Sequence, residues 1–183
     1  MSSLTRRLRR QDGSSLLGSL LEVVLIVGAA FVLALLIQQF VVKPFYIPSP
    51  SMNPTLVRGD RVLVSRFAFY FEEPKPGDVI VFHPPIAPEE DYIKRVVAVE
   101  GDTVAVHDGQ LYIDGEAQEE PYVESPVING NFEQEKVPPG RVFVMGDNRN
   151  NSGDSRVFGP VEKKAILGKA FLIYWPLDKI SWL

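Results

Sequence analysis

Residues 91–116 read DYIKRVVAVEGDTVAVHDGQLYIDGE, and this stretch decides the fold class. Valine, isoleucine and tyrosine crowd into short runs with partial alternation, the pattern of strands whose side chains point to opposite faces in turn. Between two of these runs stands Asp108-Gly109. An Asp-Gly pair suits a two-residue hairpin turn, because both central residues need positive φ. A second device appears at Glu100-Gly101-Asp102, where glycine stands just before a strand. It recurs in RGDRV (58–62), PGDVI (76–80) and PGRVF (139–143). The intervening lengths are irregular, so this is a reused turn and not a domain repeat.

Outward from this stretch, RVLVSRF (61–67), DVIVFH (78–83), RVFVMG (141–146) and AFLIYW (170–175) carry the same β signature. The expectation is a mainly β, antiparallel domain over residues 42–183. Residues 84–91 are expected to be a loop. Residues 116–140, acidic and proline-rich, exceed ordinary loop length and are expected to be a functional excursion or to carry a hairpin of their own.

Upstream the pattern changes. Leu16 to Ile37 is apolar except for Ser19 and Glu22, and its length matches the roughly 20 residues of a bilayer-spanning helix. Arg6, Arg7, Arg9 and Arg10 precede it. That order predicts a basic cytoplasmic tail (1–15), a single span (16–41) and an extracytoplasmic domain. A cleaved signal peptide has the same charge order but a shorter apolar core, and the flanking arginines argue against a buried helix of a soluble domain. Glu22 is costly in a membrane, and no role is assigned to it.

Composition removes several classes of function. The chain of 183 residues has a formal charge of −4, without the basic surface of a nucleic-acid binder. It has no cysteine and only two histidines, His83 and His107. Disulfides and thiolate metal sites are excluded, and no HExxH motif supports zinc chemistry. No cofactor and no metal are expected.

A Ser-His-Asp triad would need His83 or His107, and both stand at strand ends or turns where surface histidines are common. Attention passes to serines activated by another base, and a neutral lysine can serve. Lys94 alternates with Tyr92, Val96 and Ala98 on one face of an apolar strand, where burial would lower its pKa. The competing reading is an edge-strand lysine with its head in water. In KPFYIPSPSMNPTL (43–56), Pro44, Pro48, Pro50 and Pro54 surround Ser49 and Ser51. Proline forbids helix here and predicts an extended segment from Phe45 to Asn53. A third stretch, GDNRNNSGDSRVFGPV (146–161), is dense in turn residues and reads as a structured polar loop braced by Asp154 and Arg156.

Together, PSPSMNPTL, YIKRVVAVEGD and MGDNRNNSGDSR, in this order behind an apolar anchor, resemble the three signatures of type I signal peptidases. The resemblance implies a membrane-anchored serine endopeptidase that removes signal peptides from preproteins after small residues, as in Ala-x-Ala. It implies Ser51 as nucleophile, Lys94 as general base, and Ser49 with the Ser51 N–H as oxyanion donors. Ser152 would orient the lysine, with Asp147, Asp154 and Arg156 in support. Signal-peptide-bearing preproteins and the lipid bilayer are the implied partners, and the cytoplasmic membrane the location. Pro50 departs from the small residue common in relatives, and the single anchor departs from relatives with two spans. A self-cleaving Ser-Lys regulator is disfavoured by the anchor. The alternative function is a catalytically silent, membrane-tethered module that binds peptides.

Two aromatic groups remain. RFAFYF would place Phe67, Phe69 and Phe71 on one strand face, and the C-terminal segment adds Trp175 and Trp182. Core packing is the default for such residues; contact with the lipid interface is the alternative.

Overall fold

The computed structural model describes residues 12–125 and 127–183, so the basic tail expected over residues 1–15 lies largely outside the described residues. The chain divides into two compact units, Met1–Val41 and Val42–Leu183.

In the first unit, α1 runs from Asp12 to Phe40 and is apolar all round instead of amphipathic. Gly18–Leu35 is long and apolar enough to cross a membrane, and none of it is buried against protein. At 1.5 Å per residue those 18 residues rise about 27 Å, close to the hydrocarbon thickness of a bilayer.

The second unit is built from antiparallel strands. They are β1 (Val42–Tyr46), β2 (Arg61–Ser65), β3 (Val79–Phe82), β4 (Tyr92–Val99), β5 (Thr103–His107), β6 (Gln110–Ile113), β7 (Glu116–Ala117), β8 (Phe132–Lys136), β9 (Arg141–Met145), β10 (Val161–Glu162), β11 (Ile166–Trp175) and β12 (Ser181–Trp182). Single-turn helices α2 (Ala68–Phe71) and α3 (Ser155–Phe158) punctuate them. The larger sheet has the order β1-β2-β11-β3-β4-β9-β10, with β12 also on β11; the smaller has the order β7-β6-β5-β8. The β5–β6 turn is the one read from Asp108-Gly109, with φ of 53° and 78°.

β4 contributes to three core clusters. Ile93 packs with Ile47, Met52, Leu56, Val62 and Val64, and Val96 with Ile80, Phe82 and Val144. Between Val96 and Ala98 the β4–β9 register shifts. A bulge admits one extra residue and reverses the alternation beyond it. Ala98 therefore leaves the expected face of Tyr92, Lys94 and Val96 and packs with Val97, Val104 and Phe143 beneath the smaller sheet.

Three expectations are corrected. The chain is extended through β1 but turns after Pro48: Asn53 N–H donates to Pro50 O and Leu56 N–H to Met52 O. The cause is burial, since Met52 and Leu56 are fully enclosed and an extended chain could not carry both inward beside Ile47. RFAFYF is not a strand: its second half is α2, with Phe71 88% exposed, while Phe69 packs on the core. Core packing also fails for Trp175 and Trp182, 46% and 76% exposed. In the long excursion, no strand pairing within the segment occurs among the described residues; β7 and β8 pair with β6 and β5.

Candidate active site

β4 lies between β3 and β9, so Lys94 stands on a central strand and not an edge. Its side chain is buried, 4% exposed. Nζ donates to Ser51 Oγ at 2.9 Å and to the carbonyl of Ile93 at 2.9 Å. Loss of hydration disfavours the ammonium form and pushes the Lys94 pKa down from 10.5 to about 8. The nearby carboxylates of Asp154 and Asp147 oppose that fall.

Ser51 reaches this amine from the turn that follows β1, and is itself 7% exposed. Ser49 Oγ lies 3.2 Å from Ser51 Oγ on the exposed side of the same turn. The turn is fastened to the loop after β9 from below. Asn148 N–H donates to Ser51 O at 3.1 Å, and Asn148 Nδ2 donates to Pro50 O at 3.2 Å. Gly146 makes this approach possible, because a Cβ there would strike the Ser51 carbonyl and the Ser152 side chain. A glycine is required at this point for space and not for its dihedral freedom.

The other expected site residues cluster around this contact. Ser152 packs against Gly146. Its Oγ is buried with no hydrogen-bond partner, so no bond joins it to Lys94. Asp147 pairs with Arg95 and not with the lysine: Nε to Oδ1 is 2.9 Å and Nη2 to Oδ2 is 2.7 Å. Asp154, fully buried, accepts from Gly146 N–H and caps α3 through Arg156 N–H. Its carboxylate also holds the Arg156 guanidinium at 2.8 Å, which in turn donates to Arg149 O. His83 and His107 lie elsewhere, each beside an exposed aspartate.

Sequence reasoning missed Arg95, Asn148, Arg149 and Glu120. Arg95 lies between Asp147 and the ring of Tyr122, whose centroid is 4.0 Å from its Cζ. Arg149 forms a two-toothed pair with Glu120 and donates to Gly146 O. These pairs draw the excursion before β8 onto the loop that carries Asp147. A run of charges in one strand or loop holds no signal for a partner far along the chain. Only the alternation of Arg95 against Lys94 hinted that the arginine faces a different neighbour.

Chemically, a neutral amine beside a hydroxyl can take its proton as the oxygen attacks an electrophile. Among the described residues no cluster of acidic or histidine side chains could hold a metal ion.

Comparison with known proteins gives a single direction. A family described as signal peptidase, peptidase S26, matches residues 20–175. The chain is 45% identical over 157 residues to the probable signal peptidase I-1 of Synechocystis sp., covering 82% of this chain and 80% of that protein. It is 42% identical over 171 residues to the signal peptidase I of Leptolyngbya laminosa, covering 90% of this chain and 84% of that protein. It is also 42% identical over 164 residues to thylakoidal processing peptidase 1, chloroplastic, of Arabidopsis thaliana, covering 83% of this chain and 47% of that protein.

Proposed function

The chain belongs to the S26 signal peptidase family of serine peptidases, and from that premise we propose that it cleaves preproteins after small residues with a Ser51–Lys94 dyad. The observation that carries the reading is the 2.9 Å contact between the buried Lys94 amine and Ser51 Oγ. Neutral Lys94 takes the Ser51 proton as Oγ adds to the scissile carbonyl. The oxyanion is met by Ser49 and the Ser51 N–H; losing one such donor typically costs about 10² to 10³ in rate. The tetrahedral intermediate collapses as the ammonium of Lys94 protonates the leaving amine. Water then hydrolyses the acyl-enzyme, with Lys94 again as base.

Ser152 is assigned to hold the amine: in the neutral form its lone pair meets the Ser51 hydroxyl and one N–H meets Ile93 O, which leaves one N–H. Asp154 and Arg156 brace the loop that carries it, and Asp147 acts through Arg95. The apolar helix is assigned as the anchor, with residues 1–15 cytoplasmic and 42–183 on the extracytoplasmic face of the cytoplasmic membrane. Its substrates are then membrane-inserted preproteins, and only residues 38–50 separate Ile37 from Ser51.

The test is cleavage of a preprotein bearing an Ala-x-Ala site, in detergent, by the wild type and by Ser51→Ala and Lys94→Ala. Activity lost in both folded variants is expected. Equal cleavage by Ser51→Ala would overturn the site. A folded wild type inert toward several such substrates would favour the peptide-binding module.

A further inference from the structure

Asn148 grips two consecutive carbonyls, one on each side of the Ser51 Cα. Its side-chain amide holds Pro50 O, and its backbone N–H holds Ser51 O. In a trans peptide the C=O and the following N–H point in opposite directions across one plane. Fixing Pro50 O therefore fixes the direction in which the Ser51 N–H points. Asn53 N–H gives Pro50 O a second partner at 3.1 Å, so the plane is held from two sides. Proline at position 50 has no N–H of its own, which leaves the Ser51 N–H as the backbone donor at this point of the turn.

We infer that Asn148 is a positioning residue that aims the Ser51 N–H at the developing oxyanion, through its side-chain bond to the Pro50 carbonyl. The inference rests on Ser51 being the nucleophile. It assigns Asn148 no contact with substrate and no part in proton transfer. Its effect belongs to the transition state, because a donor aimed at the tetrahedral oxygen contributes more there than to the bound ground state.

The experiment uses the full chain in detergent, with Asn148→Ala and the near-isosteric Asn148→Asp, which keeps volume but loses the Nδ2 donor. In both, the backbone N–H to Ser51 O remains available, so the turn keeps its tether. The expected result is a kcat about ten- to a hundredfold lower, less than outright loss of a donor, with KM within about twofold and, in the uncharged Asn148→Ala, the midpoint of the pH profile unmoved. A second readout is a substrate-like peptide ending in a boronic acid. The Ser51 oxygen adds to its boron, the serine proton passes to Lys94, and a tetrahedral anion stands where the oxyanion would. Its affinity should fall with kcat, while the matching carboxamide peptide binds as it does to the wild type.

Unchanged kcat in either folded variant would overturn the inference, and so would equal weakening of both peptides or a displaced pH midpoint in Asn148→Ala. If Asn148→Ala fails to fold, Asn148→Asp decides alone. Ser51→Ala run alongside separates the two levels: a silent Ser51→Ala with normal Asn148 variants sinks only the role of Asn148. An active Ser51→Ala sinks the nucleophile assignment itself.

Discussion

Lys94 carries an energetic cost that its chemistry explains. The fall in its pKa from 10.5 to about 8 corresponds to about 3 kcal/mol against the folded state at pH below the folded value. The sign follows from the two states. Above the unfolded value neither form binds the proton and the penalty vanishes. As pH falls from 10.5 to about 8 the unfolded chain protonates first and stability declines, then levels below the folded value. Lys94→Met, which keeps length without the amine, should thus be more stable than the wild type near pH 7, by up to about 3 kcal/mol. Denaturant titrations should show that gain disappearing toward pH 11. With Lys94 as the proposed base the neutral amine would be the working form, so kcat should rise with pH through a midpoint near 8; a profile falling over that range would remove Lys94 as the base. At this scale the sequence was legible where residue type alone restricts the chemistry: two histidines at turns, one lysine in an apolar strand. Arg95 and Asn148 stayed hidden because their importance lies in partners that spacing does not reveal, Asp147 and the Pro50 carbonyl.

Elements were read well where local rules and burial agree, and poorly where they oppose. The Asp108-Gly109 hairpin followed from positive φ alone. The turn after Pro48 did not, because proline rules describe the torsions of a segment, whereas Met52 and Leu56 direct it toward the core. The bulge in β4 is a related case: strict alternation misplaced Ala98, whose neighbours are set by the cluster beneath the smaller sheet. The excursion between β7 and β8 is secured by side chains from outside itself. Its pair Glu120–Arg149 is nearly dry, with side-chain exposures of 9% and 1%, and Tyr122 lies against Arg95. Removing one member of a buried pair leaves the other charge uncompensated. Glu120→Ala should therefore cost about 3 kcal/mol or more and make the excursion a preferred site of limited proteolysis, while Ser51 and Lys94 keep their contact. If native-state proteolysis of residues 117–131 were unchanged, the pair would not be what secures this segment.

Over the whole molecule, the second unit leaves several large apolar side chains exposed. Phe71 is 88% exposed, Tyr70 78%, Trp182 76% and Leu177 68%. The aromatic ones, Phe71, Tyr70 and Trp182, are of the kind that favours the lipid headgroup region, and contact with lipid is the prediction they carry. Phe71→Ser with Trp182→Ser in the full chain should lower cleavage of a membrane-inserted preprotein in liposomes several-fold and leave cleavage of a short peptide in detergent unchanged. Equal rates in liposomes would show that the aromatics do not engage lipid. This surface was half legible: the aromatics were visible in sequence, but their exposure follows from α2 replacing the expected strand and from the late pairing of β12 on β11.

The lysines also differ in a way that matters outside catalysis. Carboxylates hold Lys163 and Lys169 above the ordinary amine value, while burial holds Lys94 near 8. A free amine, and not its ammonium ion, reacts with electrophiles. At neutral pH Lys94 is therefore the amine of these three most open to covalent labelling, though its 4% exposure admits only the smallest reagents. Isocyanic acid, small and uncharged, suits that opening: it would turn the amine into a urea, ending its basicity while sparing its paired, protonated counterparts. The burial that prepares this side chain to accept a proton also makes it a point of chemical ageing.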